Sequence, residues 1–255
     1  MPVAPPLGGL GHLPSSVLTV RVDVAFRPEE AAAAPVGIVV DVLRATSTIA
    51  QALAAGYERI LCCAEIDEAR ALRSELPDSL VGGERNAVRI EGFDVGASPR
   101  EFLEARAKTL ILSTTNGTRA ILAAASQCDE VFLGSLLNLG AVVAVARERG
   151  EDVAILCAGF KGSFALDDAY CAGLIVKLLD AERSDAAIAS ELVASAFPDA
   201  AAGLNARTYG PPGLEEDIAF CARVDVLDVV PRLSGMVGAA AEVTAVRVGD
   251  RSPLP

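Results

Sequence analysis

From residue 17 to residue 182, short β-branched or aliphatic runs alternate with longer Ala/Leu segments of helical period. This alternation restricts the chain to α/β architectures with a largely buried sheet. The runs VLTVRVDV (17–24), VGIVVDV (36–42), RILCCA (59–64), SLVGG (79–83), TLILST (109–114), EVFLG (130–134) and DVAILCA (152–158) predict the strands of one sheet. Helical period covers 46–55, 65–75, 98–107, 117–126, 138–148 and 167–182. From about 184 to 222 the pattern becomes Ala-rich and helical, with a YGPPG turn at 209–213, and EVTAVRV (242–248) predicts a last strand. The expected architecture is a three-layer α/β/α arrangement around a largely buried mixed sheet, with two interlocked subdomains left open. Residues 1–16, rich in Pro and Gly, are expected as a loose arm, and 17–255 as a single α/β domain without repeats or a clean linker.

Composition narrows the partners. With 52% hydrophobic residues in 255 the chain can bury a substantial core. Lys and Arg total 22 against 34 Asp and Glu, a net charge of -12, which disfavours nucleic acid. No apolar stretch supports a membrane span. Six cysteines with no CxxC pair, most inside apolar runs, and no leader-like segment before them, predict reduced thiols in a cytoplasmic protein. A homo-oligomer is compatible with this composition.

Ligands of open α/β sheets sit where strands end and helices begin, because helix N-termini offer N–H groups and a positive dipole end. Four polar clusters fall at such places: Asp41 with Arg44, Thr46, Ser47 and Thr48; Glu84 and Arg85 in GGERN; STTNGTR (113–119), with Thr115, Asn116, Gly117, Thr118 and Arg119; and AGFKGSFALDD (158–168), with Lys161, Asp167 and Asp168. Each is open to a simpler reading, since Ser, Thr, Asn and Asp cap helices for structural reasons alone. Capping does not call for Arg44, Arg85 and Arg119 near helix N-termini, where the dipole disfavours cations. Together with hydroxyls and helix amides, three guanidinium groups describe a pocket for a small, multiply charged anion. The acids at the same loops would repel it unless they pair with those arginines or hold a divalent cation, and scattered carboxylates suit Mg²⁺.

Several phosphate chemistries are excluded by absence. The chain has no GxxxxGK[ST] loop, no Cys followed six residues later by Arg, and no second Asp two residues after Asp41. The only histidine, His12, falls in the expected arm. Carboxylate and metal chemistry remains.

DVLRATST (41–48), GER (83–85), GFDVGASP (92–99), TTNGT (114–118), GLEEDIAFC (213–221) and VVP (229–231) occur in one order that resembles the 2-phosphosulfolactate phosphatase family across roughly residues 36–232. Two positions depart from the family pattern: GNSP reads Gly96-Ala97-Ser98-Pro99 here, and Glu-Asp reads Asp167-Asp168. The resemblance implies a Mg²⁺-dependent phosphatase of α/β fold that converts 2-phosphosulfolactate to 3-sulfolactate and phosphate in coenzyme M biosynthesis. On this reading Asp41, Glu84 and Asp168 are the expected metal ligands. Asp41, Arg44, Glu84, Arg119 and Asp217 are the expected catalytic groups, with Asp41 either a ligand or a nucleophile. Thr46, Ser47, Thr48, Arg85, Thr115, Asn116, Gly117, Thr118 and Lys161 are expected to bind substrate. For Asp217 a structural account stands beside the functional one, because Leu214, Ile218 and Cys221 form an apolar stripe on the same segment. The alternative function is a non-catalytic sensor that binds a phosphorylated or sulfonated metabolite through the same arginines.

Overall fold

The computed structural model describes residues 20–246 except 31 and 211. The expected arm (1–16), the start of the first expected strand and the end of the last one lie outside the described residues.

In chain order the elements are β1 (Arg21–Ala25), β2 (Ala34–Val40), α1 (Ala45–Ala54), β3 (Arg59–Cys62), α2 (Ile66–Glu75), β4 (Leu80–Arg85), β5 (Val88–Arg89), β6 (Thr109–Ser113), α3 (Gly117–Ala125), β7 (Cys128–Gly134), α4 (Leu139–Arg149), β8 (Val153–Cys157), α5 (Leu166–Leu179), β9 (Glu182–Arg183), α6 (Asp185–Ser195), α7 (Ala200–Asn205), α8 (Glu215–Cys221), β10 (Val230–Val237) and β11 (Ala240–Val246). The strands form one mixed sheet in the order β5-β4-β6-β3-β11-β10-β7-β2-β8-β1-β9.

Two parallel halves make up this sheet. β3, β6 and β4 run parallel, with Ile60 opposite Leu110 and Leu80 opposite Leu110. β7, β2, β8, β1 and β9 also run parallel, with Ile38 between Phe132 and Ile155. The hairpin β10–β11 joins them, pairing antiparallel with β7 on one side and β3 on the other. Three successive antiparallel steps set the two halves running in opposite directions.

Burial follows from which residues the strands carry. From Gly37 to Val40, β2 is buried at every residue, as expected of a strand covered on both faces. Helices α1 and α3 fill a core common to both halves, where Ile49, Leu53 and Ile121 meet Ile60, Leu110 and Leu112 as well as Val39, Leu133 and Leu156. Helix α2 covers the other face of the first half through Ala69 and Leu72, and α4 to α8 cover that of the second. The fold is therefore α/β with helices on both faces of the sheet.

The expected helix over 98–107 is reduced to a single 3-10 turn, Pro99–Phe102. Ser98 and Glu101 form a capping box there, but Glu101 also turns back to accept from the Gly96 amide. Beyond Phe102, Leu103 to Ala105 are exposed, so no apolar stripe sustains a helix. The expected helix over 167–182 ends at Leu179, where Asp180 takes a left-handed conformation and the chain turns into β9.

Candidate active site

Helix α1 is buried on nearly all sides, from Ala45 to Leu53. Its three hydroxyl residues therefore need partners inside the protein, and they find them in the backbone. Thr46 Oγ1 accepts from the Asp41 amide and donates to the Asp41 carbonyl, Ser47 donates to the Val42 carbonyl at 2.9 Å, and Thr48 to the Ala97 carbonyl at 2.8 Å. This departs from the expectation that they bind substrate: none of the three lines the cleft.

The cleft, about 560 Å³ including its open mouth, gathers the turns after β2, β4, β6 and β8. Asp41 stands at its floor, 7% exposed. Oδ1 accepts the Ala45 amide at 3.2 Å. Burial, with the neighbouring charges of Asp167 and Glu84, raises the carboxyl to about 7 against the pull of that bond. The N-terminus of α3 presses against it: a Cβ on Gly117 would stand 2.5 Å from Asp41 Oδ2 and 2.3 Å from the Ala45 Cβ, so only glycine permits the approach.

Glu84 binds two backbone amides, Ala87 through Oε2 at 2.6 Å and Thr115 through Oε1 at 2.8 Å, which ties the β4–β5 turn to the start of α3. Thr115 and Asn116 line the cleft beside it. The Thr115 hydroxyl is buried and finds no hydrogen-bond partner. Asn116 Oδ1 accepts the amide of Lys161, another lining residue, which Gly159 and Gly162 in left-handed conformations bring round the loop. Thr118 is fully buried and bonded to Thr114 instead.

Arg44 lines the cleft and is held from behind by Asp217, at 2.6 Å, both side chains less than a tenth exposed. Asp217 also accepts from Ser98 Oγ at 2.5 Å. It reaches Arg44 from α8, whose stripe of Leu214, Ile218 and Cys221 is buried in the core. Asp217 itself does not line the cleft, which makes it a positioning residue for Arg44. The other two expected arginines lie elsewhere. Arg85 is spent on the Glu84 and Ala64 carbonyls and the Ser113 hydroxyl. Arg119 points outward to an exposed pair with Glu65.

Asp168 is also absent from the cleft lining. Its oxygens accept the amides of Val42 and Gly159, each at 3.0 Å, and it fastens α5 to the β2 and β8 turns. Burial, with Asp167 and Asp41 nearby, raises its carboxyl well above the usual range. Among the described residues no group of three His, Cys, Asp or Glu side chains assembles to hold a metal ion. The expected triad of Asp41, Glu84 and Asp168 is thus not brought together. Asp41 and Glu84 do line one cleft, and two carboxylates supplemented by water and substrate oxygens are a donor set that suits Mg²⁺.

Arg207, Tyr209 and Gly210 close the far wall, where the sequence predicts only a turn over 209–213. Tyr209 stacks on Phe160 at 4.6 Å and its hydroxyl donates to Asp167, while Arg207 and Gly210 face the cleft. The local signal was slight: an arginine just after a short helix is also the residue expected to complement a helix dipole.

A buried carboxylate at a strand end, a braced arginine and a helix N-terminus in one cleft describe an anion-reacting site. The family model for 2-phosphosulpholactate phosphatase matches residues 24–235. The chain belongs to the 2-phosphosulfolactate phosphatase family. A protein of Thermus thermophilus named "Probable 2-phosphosulfolactate phosphatase" is 41% identical over 235 residues, covering 88% of this chain and 98% of the relative. A protein of Caldanaerobacter subterraneus with the same name is 39% identical over 209 residues, 77% of this chain and 86% of the relative. One from Pseudothermotoga lettingae, so named too, is 39% identical over 216 residues, 82% and 94% respectively. The family match takes in every residue that lines the cleft, from Asp41 to Leu214.

Proposed function

We propose that the chain hydrolyses 2-phosphosulfolactate, or a closely related phosphorylated 2-hydroxy acid, to 3-sulfolactate and phosphate. The observation that carries this reading is Asp41: a buried carboxyl facing the N-terminus of α3, beside an arginine braced by Asp217, in one cleft. Family membership and the names of the relatives support the ester.

In the proposed reaction Arg44 holds the phosphoryl oxygens. Because Asp217 fixes its guanidinium before substrate arrives, little reorganisation is needed as charge develops. Asp41 and Glu84 would hold Mg²⁺, which when bound withdraws charge from the phosphoryl group and acidifies bound water. Asp41 Oδ1 is committed to the Ala45 amide, which leaves Oδ2 to take a proton from the attacking water. Quenching turnover with borohydride checks this assignment. No reduction of Asp41 to homoserine is expected, and homoserine at position 41 would replace water attack by an aspartyl phosphate intermediate.

We assign the reaction to the cytoplasm and to coenzyme M biosynthesis. Six unpaired thiols, five of them buried, support a reducing compartment. The deciding experiment measures phosphate release from a panel of 2-phospho acids with and without chelator. Release from 2-phosphosulfolactate that chelation stops and Mg²⁺ restores better than Ca²⁺ is expected. Thermal stabilisation by these anions without phosphate release would make the protein a metabolite sensor instead.

A further inference from the structure

Three cationic side chains line the cleft: Arg44, Lys161 and Arg207. They differ in what balances them. Arg44 is neutralised by Asp217 at 2.6 Å. Among the described residues no carboxylate forms an ion pair with Arg207 or Lys161. Acids outnumber bases by 34 to 22 in this chain, so an arginine without an acidic partner in a partly buried cleft is unusual. A guanidinium sheltered from water and unpaired is destabilising unless its anion arrives from solution.

The loop is built to hold Arg207 in place. Its Nη1 donates to the Tyr209 carbonyl at 3.2 Å, a neutral partner that leaves the positive charge unbalanced. Tyr209 is fixed twice, by its stack on Phe160 and by its hydroxyl bond to Asp167 in the first turn of α5. Gly210 makes room: its φ is +97°, and a Cβ there would stand 2.5 Å from Arg207 Nη1. Asp167 is close enough for Arg207 to hold its carboxyl down somewhat against burial, yet it accepts from Tyr209 and forms no ion pair with the guanidinium. Lys161 lies on the same side of the cleft, its Nζ 5.4 Å from the Phe160 ring centroid.

We propose that Arg207, seconded by Lys161, is the subsite for a second acid group of the substrate, and that it selects phosphate esters of small hydroxy acids carrying a sulfonate or carboxylate a few bonds from the ester oxygen. Tyr209 is the positioning residue of this subsite. The inference rests on the phosphatase reading for its substrate but concerns a different end of the molecule. Planar guanidinium suits a three-oxygen sulfonate or a carboxylate through paired N–H donors, which an ammonium group does not reproduce.

The test compares Arg207→Gln and Arg207→Lys on 2-phosphosulfolactate and on phenyl phosphate, which lacks a second acid. For Arg207→Gln, kcat/KM on 2-phosphosulfolactate is expected to fall about thirtyfold or more, the scale of charge-assisted hydrogen bonds, chiefly through KM. The fall on phenyl phosphate should be several-fold smaller, with Arg207→Lys intermediate on the diacid. Tyr209→Phe should move KM in the same direction and by less. Equal losses on both substrates, or none on 2-phosphosulfolactate, would overturn the assignment. Calorimetric titration with 3-sulfolactate, which carries no phosphate, reads the subsite without turnover. Its Kd should rise at least about tenfold in Arg207→Gln, the loss of one such bond, and an unchanged Kd overturns the assignment whether or not the wild type proves to be a phosphatase. Should Arg207→Gln fail to fold, the same two readouts on Arg207→Lys and Tyr209→Phe decide.

Discussion

At the scale of single residues the site is a balance of buried charge. Asp41, Asp167 and Asp168 are all buried within the reach of one another's charge, which Arg44 near Asp41 and Arg207 near Asp167 offset in part. The folded carboxyl of Asp41 sits near 7, above the ordinary 3.8, so the folded state binds its proton more tightly than the unfolded chain does. Stability therefore falls as pH rises from about 4 through about 7, by on the order of 4 kcal/mol at most. Asp41→Asn removes that cost and keeps an oxygen to accept the Ala45 amide. In chelator at pH 8 its melting temperature is expected to exceed the wild type's, with the gap closing toward pH 4, while phosphate release drops about a hundredfold or more as for a lost acid–base group. Melting curves that run parallel across that pH range would show that the carboxyl is not strained by its surroundings. Such a stabilising, inactivating change is the behaviour expected where function is built on an unfavourable charge.

At the scale of elements, what could be read in the sequence depended on whether the signal was local. Helices α1, α2, α3 and α4, the strand that ends just before Asp41 and the strand that carries Glu84 fall where apolar period and polar punctuation placed them. DVLRATST marked the entry to α1 as a polar site, but the same letters could not say that Thr46, Ser47 and Thr48 would be enclosed on all sides and turned to backbone. Arg85 and Arg119 stood in motifs as suggestive as that of Arg44. Which guanidinium faces the cleft is decided by tertiary partners: the Ala64 carbonyl for one, Glu65 for another, and for Arg44 an aspartate 173 residues away. The same distance hid the role of α8. Its stripe accounts for the helix, and Asp217 uses the helix as a mount. Asp217→Asn leaves Arg44 buried without its ion-pair partner, which is expected to cost about 3–5 kcal/mol and to lower kcat by releasing the guanidinium from its pose. Both losses should appear together, in denaturant titration and in turnover. A fall in kcat at unchanged stability would show that Asp217 acts on the substrate rather than through Arg44, and unchanged kcat would leave Arg44 out of the reaction.

For the whole molecule the least legible feature is the most central. The strand β10 carries VVP in its approach and first residues, yet its polar and glycine content hid its place in the middle of the sheet, which it shares with β11. This hairpin is the only strand connection between two halves that run in opposite directions among the described residues, and α1 and α3 fill a core that draws on both. The cleft likewise takes Asp41 and Lys161 from turns of one half and Glu84 and Thr115 from the other. A site divided this way works only if the halves do not open independently. Val243 of β11 tests this: it is fully buried, lies opposite Ile60 of β3, and packs in the shared core. Val243→Ala removes two methyl groups there and is expected to destabilise by about 2 kcal/mol, the lower end of buried aliphatic truncations. If the halves form one cooperative unit, native-state hydrogen exchange should show that loss equally in the slowest amides of β3 and β6 and in those of β2 and β8. Loss confined to β3 and β6, with β2 and β8 protected as before, would instead define two subdomains that unfold separately, and the active site would then lie on the boundary between them.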